Sequence, residues 1–424
     1  MDNNALTSDT FNFPKIKKRT FFNLTVFAFI YFFFNSFLLP SGLLYTILLT
    51  PVMIVWLNSE KVSLVKVFGC FGILFILFYC IHNLSGVDSK AYLVSSTVYL
   101  TCVVFSIAFY VYINKYNFTF EPILVKLLKF NFFWVIIALI SFPIWKQNNI
   151  FWYSNEITES LKFPRLKLFT TESSEYSALL APIFFFYFAY FYHSNLGKKR
   201  FWLSVTIIIS LLCSLSFGVI GLIIITITLL LLYDNIGKKR IKNNSKLIVL
   251  YFSVVVFILI FILGPGSNTG IAQRVLAIFS GNDSSSNGRA VDSYTLAEII
   301  LFKKNVWFGI GPGQLKIVGK DIINDFYQYD NSDDKVVRLP CNMAEVLATF
   351  GYLGVSLKLF IEIYLFFRTK VSSSSFRLCI FLFIFFFQFV GSNIVNTLEY
   401  VMWVMAFSKV FPDEYFKKIA YNNE

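Results

Sequence analysis

The sequence predicts an all-α polytopic membrane protein, and three observations predict it. Hydrophobic residues make up 57% of the 424 and charged residues only 14%, against roughly a quarter charged in soluble domains. Aromatic residues reach 20%, with 53 Phe, more apolar side chain than a soluble fold can bury without exposing large patches to water. Apolar runs long enough to cross about 30 Å of hydrocarbon recur along the chain. The formal charge of +13 is met by basic loops facing anionic lipid headgroups and calls for no nucleic acid.

Twelve such runs are expected, at 20–38, 42–57, 63–82, 91–112, 122–145, 174–192, 201–216, 218–233, 247–264, 342–367, 378–391 and 397–411. The pairs 201–216/218–233 and 378–391/397–411 are short, and each reads as a tight helical hairpin turned at small or polar residues. They divide the chain into a membrane bundle over 1–145, an outer loop at 146–173, spans over 174–264, a large outer loop at 265–341, and C-terminal spans with a cytoplasmic tail over 342–424. KIKKR before the first span (Lys15, Lys17, Lys18, Arg19) lacks a signal-peptide cleavage site and reads as an anchor with its N-terminus inside. Lys198, Lys199, Arg200, the run from Lys238 to Lys246, Arg368, Lys370, Arg377, Lys417 and Lys418 then all fall in the cytoplasm. Four short outer loops carry one base, Lys90, the asymmetry of the positive-inside rule. Both termini are expected inside.

The two long outer loops break that asymmetry, holding twelve bases between them. Length explains the second, because long loops translocate largely whatever their charge; the first is too short for that. Work at the outer face is the reading that accounts for both. In the first loop, Glu172 and Glu175 sit at i,i+3 beside Thr170, Thr171, Ser173 and Ser174. They read as N-terminal caps of the next helix or as carboxylates facing a polar cavity near Arg165. In the second loop, GNDSSSNG (281–288) reads as a flexible turn region. RAVDSYTLAEIILFKKN (289–305) reads as an amphipathic helix at the interface. VWFGIGPGQ follows, where Gly309, Gly311 and Gly313 permit tight turns or close approach to a ligand. DIINDFYQYDNSDD (321–334) is either a solvated acidic surface or an aromatic face for sugars.

Within the spans, Lys358 and Glu362 lie at i,i+4 and are expected to neutralise each other. Glu399, near Asn393 and Asn396, has no evident basic partner and is a cavity candidate. His82 and His193 are at loop ends and read as interfacial. Cys70, Cys80, Cys102, Cys213 and Cys379 lie in apolar runs and only Cys341 borders a polar segment. Neither a disulfide framework nor a zinc site is expected, and no cofactor.

RAVDSYTLAEIILFKKNVWFGIGPGQ resembles the O-antigen polymerase (Wzy) and O-antigen ligase superfamily, whose large outer loop carries an arginine, an amphipathic helix and a glycine-rich turn. PCNMAEVLATFGYLGV resembles the family's segment leading into the next helix through Asn342, Gly351 and Gly354. FPRLKLFTTESSEYSALLAP resembles its arginine-to-glutamate segment through Arg165, Glu172, Ser173 and Ala178. The ligases carry a histidine where this chain has Cys341, which favours a polymerase over a ligase. The resemblance implies a membrane glycosyltransferase of the GT-C class in a bacterial cytoplasmic membrane. It would join polyprenyl-diphosphate-linked oligosaccharide repeat units, carried on undecaprenyl diphosphate, into O-antigen or capsule at the outer face. Arg289 and Arg165 would clamp the diphosphate, with Arg338 and Arg274 as further bases. Glu172 or Glu345 would orient or deprotonate the acceptor hydroxyl, and Asn342, Gly311 and Glu399 would line the substrate site. Membrane lipids and a chain-length regulator are the partners implied. The rival from another class is a lipid-linked oligosaccharide flippase, for which internal repeats and midplane polar groups would speak.

The topology predicts that reporters fused at Asn243–Asn244 and Ser373–Ser374 are cytoplasmic and that those at Asn155 and Ser285 are external. An external reporter at Ser373 would break the span count near the C-terminus.

Overall fold

The computed structural model describes residues 18–39, 43–147, 150–153, 164–193, 198–237, 270–328, 338–391 and 394–416. About four fifths of these are helical. A helix satisfies its backbone polar groups within its own segment, which hydrocarbon demands of any chain that is not a closed barrel. In order, the helices that matter here are α1 (Lys18–Phe29), α2 (Thr50–Ser59), α3 (Leu64–Asn83), α4 (Ser89–Tyr116) and α5 (Phe120–Ile140). A two-stranded antiparallel pair, β1 (Trp152–Tyr153) and β2 (Arg165–Leu166), follows. Then come α6 (Ser173–His193), α7 (Lys198–Ser214), α8 (Phe217–Gly237), α9 (Gly270–Phe279), α10 (Ser293–Phe302), α11 (Leu315–Tyr327), α12 (Asn342–Arg368), α13 (Ser375–Phe387) and α14 (Thr397–Phe407).

By length and composition, Leu64–Asn83, Ser89–Ile140, Phe217–Asp234 and Asn342–Arg368 are able to cross a membrane, and Arg200–Ser214, Ser375–Phe387 and Thr397–Phe407 are shorter apolar helices. The all-α membrane class is thus supported, and the described residues hold four helices long and apolar enough to cross a membrane where twelve spans are expected. The expected run 247–264 and the basic stretch 238–246 lie outside the described residues. α7 and α8 are parted by Leu215 and Ser216 where a turn is expected, but α8 is not short, being long enough to cross a membrane, and α13 packs on α14 as the other expected pair.

One expected span is not a single helix. Asn342 and Lys358 are sixteen positions apart, about 24 Å along a straight helix, yet Lys358 Nζ donates to Asn342 Oδ1 at 3.1 Å. The run folds back on itself at Gly351, whose φ of 68° and ψ of −170° belong to no helix. A Cβ at Gly354 would stand 2.3 Å from that of Phe350, so this second glycine lets the halves 342–350 and 352–368 lie close. Apolar length misled the sequence reading here, because hydropathy does not register a backbone reversal.

Lipid is as apolar as the side chains, so helices associate through packing and internal hydrogen bonds more than through escape from water. The core is correspondingly aromatic. Phe186 meets Phe376 edge-on at 5.8 Å and Phe411 at 6.1 Å, contacts worth about 0.5–1.5 kcal/mol each beyond area. Polar staples join the helices: Tyr176 donates to Asn131 Oδ1 at 2.6 Å, and Asn131 to Ser210 Oγ at 2.9 Å, tying α6, α5 and α7. Arg377, expected as a cytoplasmic base, is buried. Its guanidinium donates to the carbonyls of Thr369 and Ala406, both at 2.9 Å, capping the carbonyl ends of α12 and α14 at once.

Gly351→Ala should lower thermal stability in detergent by about 3 kcal/mol or more, because its Cβ would lie 2.3 Å from the Trp307 carbonyl oxygen at a strained φ. Gly69→Ala, in open space on α3, should be neutral or stabilising by up to about 1 kcal/mol. Equal melting of the two variants would show that the reversal is not needed.

Candidate functional site

The site begins with the antiparallel pair of β1 and β2. Alternation in β1 and β2 turns Trp152 and Leu166 inward, where both are buried, and leaves Tyr153 and Arg165 on the other face, directly opposite each other across the ladder. Phe151, Leu168 and Phe169 are buried beside them, and Phe169 meets Trp134 of α5 at 5.0 Å. This apolar anchor holds a two-residue ladder that could not stand alone in water. Arg165 is thereby held at the C-terminal end of α7, its Nε 3.4 Å from the Ser214 carbonyl.

The start of α6 separates the roles of its two glutamates. Glu175 accepts from the Thr171 hydroxyl at 2.6 Å and the Thr171 amide at 3.2 Å, the capping role expected for it. Glu172 turns outward, accepts from Ser174 Oγ at 3.0 Å, and stands 3.9 Å from the Arg289 guanidinium. Arg289 lies in a π turn, Gly288–Asp292, that leads into α10. With 34% and 52% of their side chains exposed, this pair contributes at most about 1 kcal/mol. A loose pair of this kind leaves the guanidinium open to another anion.

Tyr153 gathers the group. Its phenol lies within electrostatic reach of Glu172, Arg165 and Arg289 together. Burial pushes it above the ordinary phenol value and Glu172 adds to that, while the two guanidiniums pull it down. It remains a neutral O–H donor at neutral pH. The structure thus joins three residues expected from sequence, 124 positions apart at the extremes (289 − 165), and adds Tyr153. A two-residue strand carries no readable periodicity, so only its pairing could reveal that tyrosine. Lys167 beside it is drawn below the usual ammonium value by burial, with Glu175 opposing.

A second group forms where α12 folds back. Glu399 Oε1 is 2.9 Å from Lys358 Nζ, and its other oxygen accepts a short hydrogen bond from Asn342 Nδ2. Glu345 accepts from the Ile394 amide at 3.0 Å and lies within electrostatic reach of Arg338, Glu399 and Lys358. Glu345, Asn342 and Glu399 are therefore together, and Arg338 is exposed nearby. Two expectations are corrected. Glu399 does have a basic partner, and Lys358 bonds to it rather than to Glu362, because the fold-back brings α14 closer to the ammonium than its own helix does.

Gly311 and its neighbours pack against protein. A Cβ at Gly311 would meet the rings of Tyr92 and His82 at 3.0–3.1 Å, one at Gly309 the Thr349 backbone at 2.5 Å, and one at Gly313 the Ala91 carbonyl at 2.3 Å. His82, expected at the interface, is buried at 1% exposure and bonds to Tyr92 OH at 3.0 Å and to the Phe308 carbonyl at 2.7 Å. His193 is likewise enclosed, 3.1 Å from Asp413. Arg274 lies on α9, and its side chain is outside the described residues. Of the acidic stretch 321–334, residues 329–334 are outside them too.

Comparison with known protein families finds none that matches this chain, and comparison with curated proteins finds no match either. Function rests on the site itself.

Cys341 is buried against the turn after α13, its thiol 3.1 Å from the Phe389 carbonyl and 3.4 Å from Tyr294 OH. Burial pushes the thiol above its ordinary value, so it is no ready nucleophile. Cys341→Ser should keep stability within about 1 kcal/mol, since a hydroxyl donates the same bond. Maleimide at neutral pH should leave Cys341 of the folded protein unlabelled; rapid labelling there would refute the structural role.

Proposed function

We propose that this protein polymerises lipid-linked oligosaccharide repeat units, with Arg165, Arg289, Tyr153 and Glu172 as its reaction site. The observation that carries the reading is the convergence of two arginines, a neutral phenol and a carboxylate from two separate loops, with no tight pairing to consume the Arg289 charge. In the reaction, an acceptor hydroxyl oxygen attacks the anomeric carbon of a glycan held on a polyprenyl diphosphate. The bond from that carbon to the diphosphate oxygen breaks, and the lipid diphosphate leaves with the electron pair. Two planar guanidinium forks match its oxygens and stay charged. Glu172 is placed to take the hydroxyl proton and pass it to water. Glu345, held by the Ile394 amide, is less free to do so.

A second reading, a lipid-linked oligosaccharide flippase, draws support from the broken α12 and its Lys358–Glu399 pair, since transporters build substrate sites on discontinuous helices. Purified protein supplied with one defined lipid-linked repeat unit in detergent separates the two. A polymerase lengthens the glycan with no second compartment, and a flippase cannot.

Both Arg289→Ala and Arg289→Lys are expected to abolish long-chain product at normal expression and unchanged melting temperature, with Arg165→Ala behaving alike. Losing a bidentate contact costs about 2–4 kcal/mol at the transition state, roughly 30- to 1000-fold in rate. Polymer of normal length from Arg289→Lys would leave the arginine only a lipid-facing role.

A further inference from the structure

Lys358 is committed to Glu399 and Asn342, and that leaves Glu362 without a bonded cation. A cavity of about 720 Å³ between α4, α12 and α14 has Asn342, Lys358, Glu362 and Glu399 in its wall. Glu362 is 5% exposed, and its Oε2 accepts from Gln388 Nε2 at 2.8 Å. Its Oε1 is buried with no hydrogen-bond partner, and so is Gln388 Oε1. Each member of one bonded pair therefore has an acceptor oxygen lacking a donor. Turning the amide over exchanges its nitrogen and oxygen and leaves the mismatch in place.

An ionised carboxylate offers only acceptors, whereas a protonated one carries an O–H. A carboxylate buried without a bonded cation also costs several kcal/mol. One proton removes both difficulties: Glu362 O–H donates to Gln388 Oε1 while the Gln388 N–H donates to Glu362 Oε2, closing an acid–amide ring. We propose that Glu362 is a proton-binding site, a neutral carboxylic acid on the cavity wall whose proton bridges to Gln388.

The groups that act on it or share its wall are Lys358 on its own helix, Gln388 at the end of α13, Glu399 and Tyr400 on α14, Tyr110 on α4, and Asn342 on the first half of α12. Lys358 lies one turn away and within electrostatic reach. Release of the proton therefore offers its ammonium a second carboxylate and loosens it from Glu399 and Asn342. Uptake returns it. The site is thus a proton-linked switch on the fold-back of α12, and it stands apart from the polymerase reading, since neither Arg165 nor Arg289 takes part.

Carbodiimide chemistry tests it on the purified full chain. The acid O–H adds across one C=N bond of dicyclohexylcarbodiimide and the adduct rearranges to a stable N-acylurea, with no atoms lost. Leu357 and Ile361 on the cavity wall are exposed, so this apolar reagent has access. At neutral pH, peptide mass spectrometry should find Glu362 labelled about tenfold or more over Glu399, with the label fading at alkaline pH. Glu362→Gln should lose the label and keep the melting temperature, because its amide supplies the same donor; Glu362→Ala should melt lower. No label on Glu362, or Glu362→Gln melting as low as Glu362→Ala, overturns the proposal. Protection by sodium chloride but not choline chloride overturns it in favour of a bound sodium ion.

Discussion

The structure depends on a backbone exchange between the glycine turn that joins α10 to α11 and the break in α12. Tyr352 and Leu353 donate their amides to the carbonyls of Val306 and Trp307 at 3.2 and 3.1 Å. In return, Ile310 and Gly311 donate to the carbonyls of Ala348 and Thr349 at 3.0 and 2.9 Å. A helix broken within an apolar run strands its amides and carbonyls, and in hydrocarbon each would cost several kcal/mol. Here the loop satisfies both sets. Side chains at Gly309 and Gly351 would each strike the opposing backbone, so the approach requires glycine at both.

Both polar groups follow from that exchange. Reversal at Gly351 carries Asn342 back to Lys358 and Glu399, and it frees Glu362 from the lysine on its own helix. Docking of the loop also fixes α10, which buries Leu296, Ala297, Ile300 and Leu301 against α12. The π turn at its start then holds Arg289 toward Glu172. On the opposite side, the buried aromatics around Trp152 and Phe169 do the same for Arg165. The two arginines are thus placed by apolar anchors a few residues away, and the loose contact of Arg289 with Glu172 leaves that guanidinium open to an anion.

Buried charge has a different use elsewhere. Arg377 ends two helices, and Arg200 donates through Nε and Nη2 to one oxygen of Glu121 at 2.9 and 2.7 Å while donating to Tyr190 OH at 2.7 Å. Both sit in well-satisfied geometry, as a charge in low dielectric must. Positive-inside counting treats all such bases alike, and so it does not register that these two are part of the packing.

The sequence by itself determined the helical membrane class and the extents of most helices, because apolar run length and turn residues are local quantities. It also singled out Arg165, since bases on a short loop expected outside run against a compositional rule, while Arg289 and Glu172 stood out through the resemblance of their segments, and it flagged Gly351 and Gly354 without saying that the chain reverses there. Only the tertiary structure decided that Lys358 bonds to Glu399 and not to Glu362, that Tyr153 joins the arginines, and that His82 is a buried clasp under the glycine turn. Each of these turns on a contact between residues distant in sequence. Such contacts depend on one glycine's φ and ψ and on the register of a two-residue ladder, which leave no trace in hydropathy or periodicity.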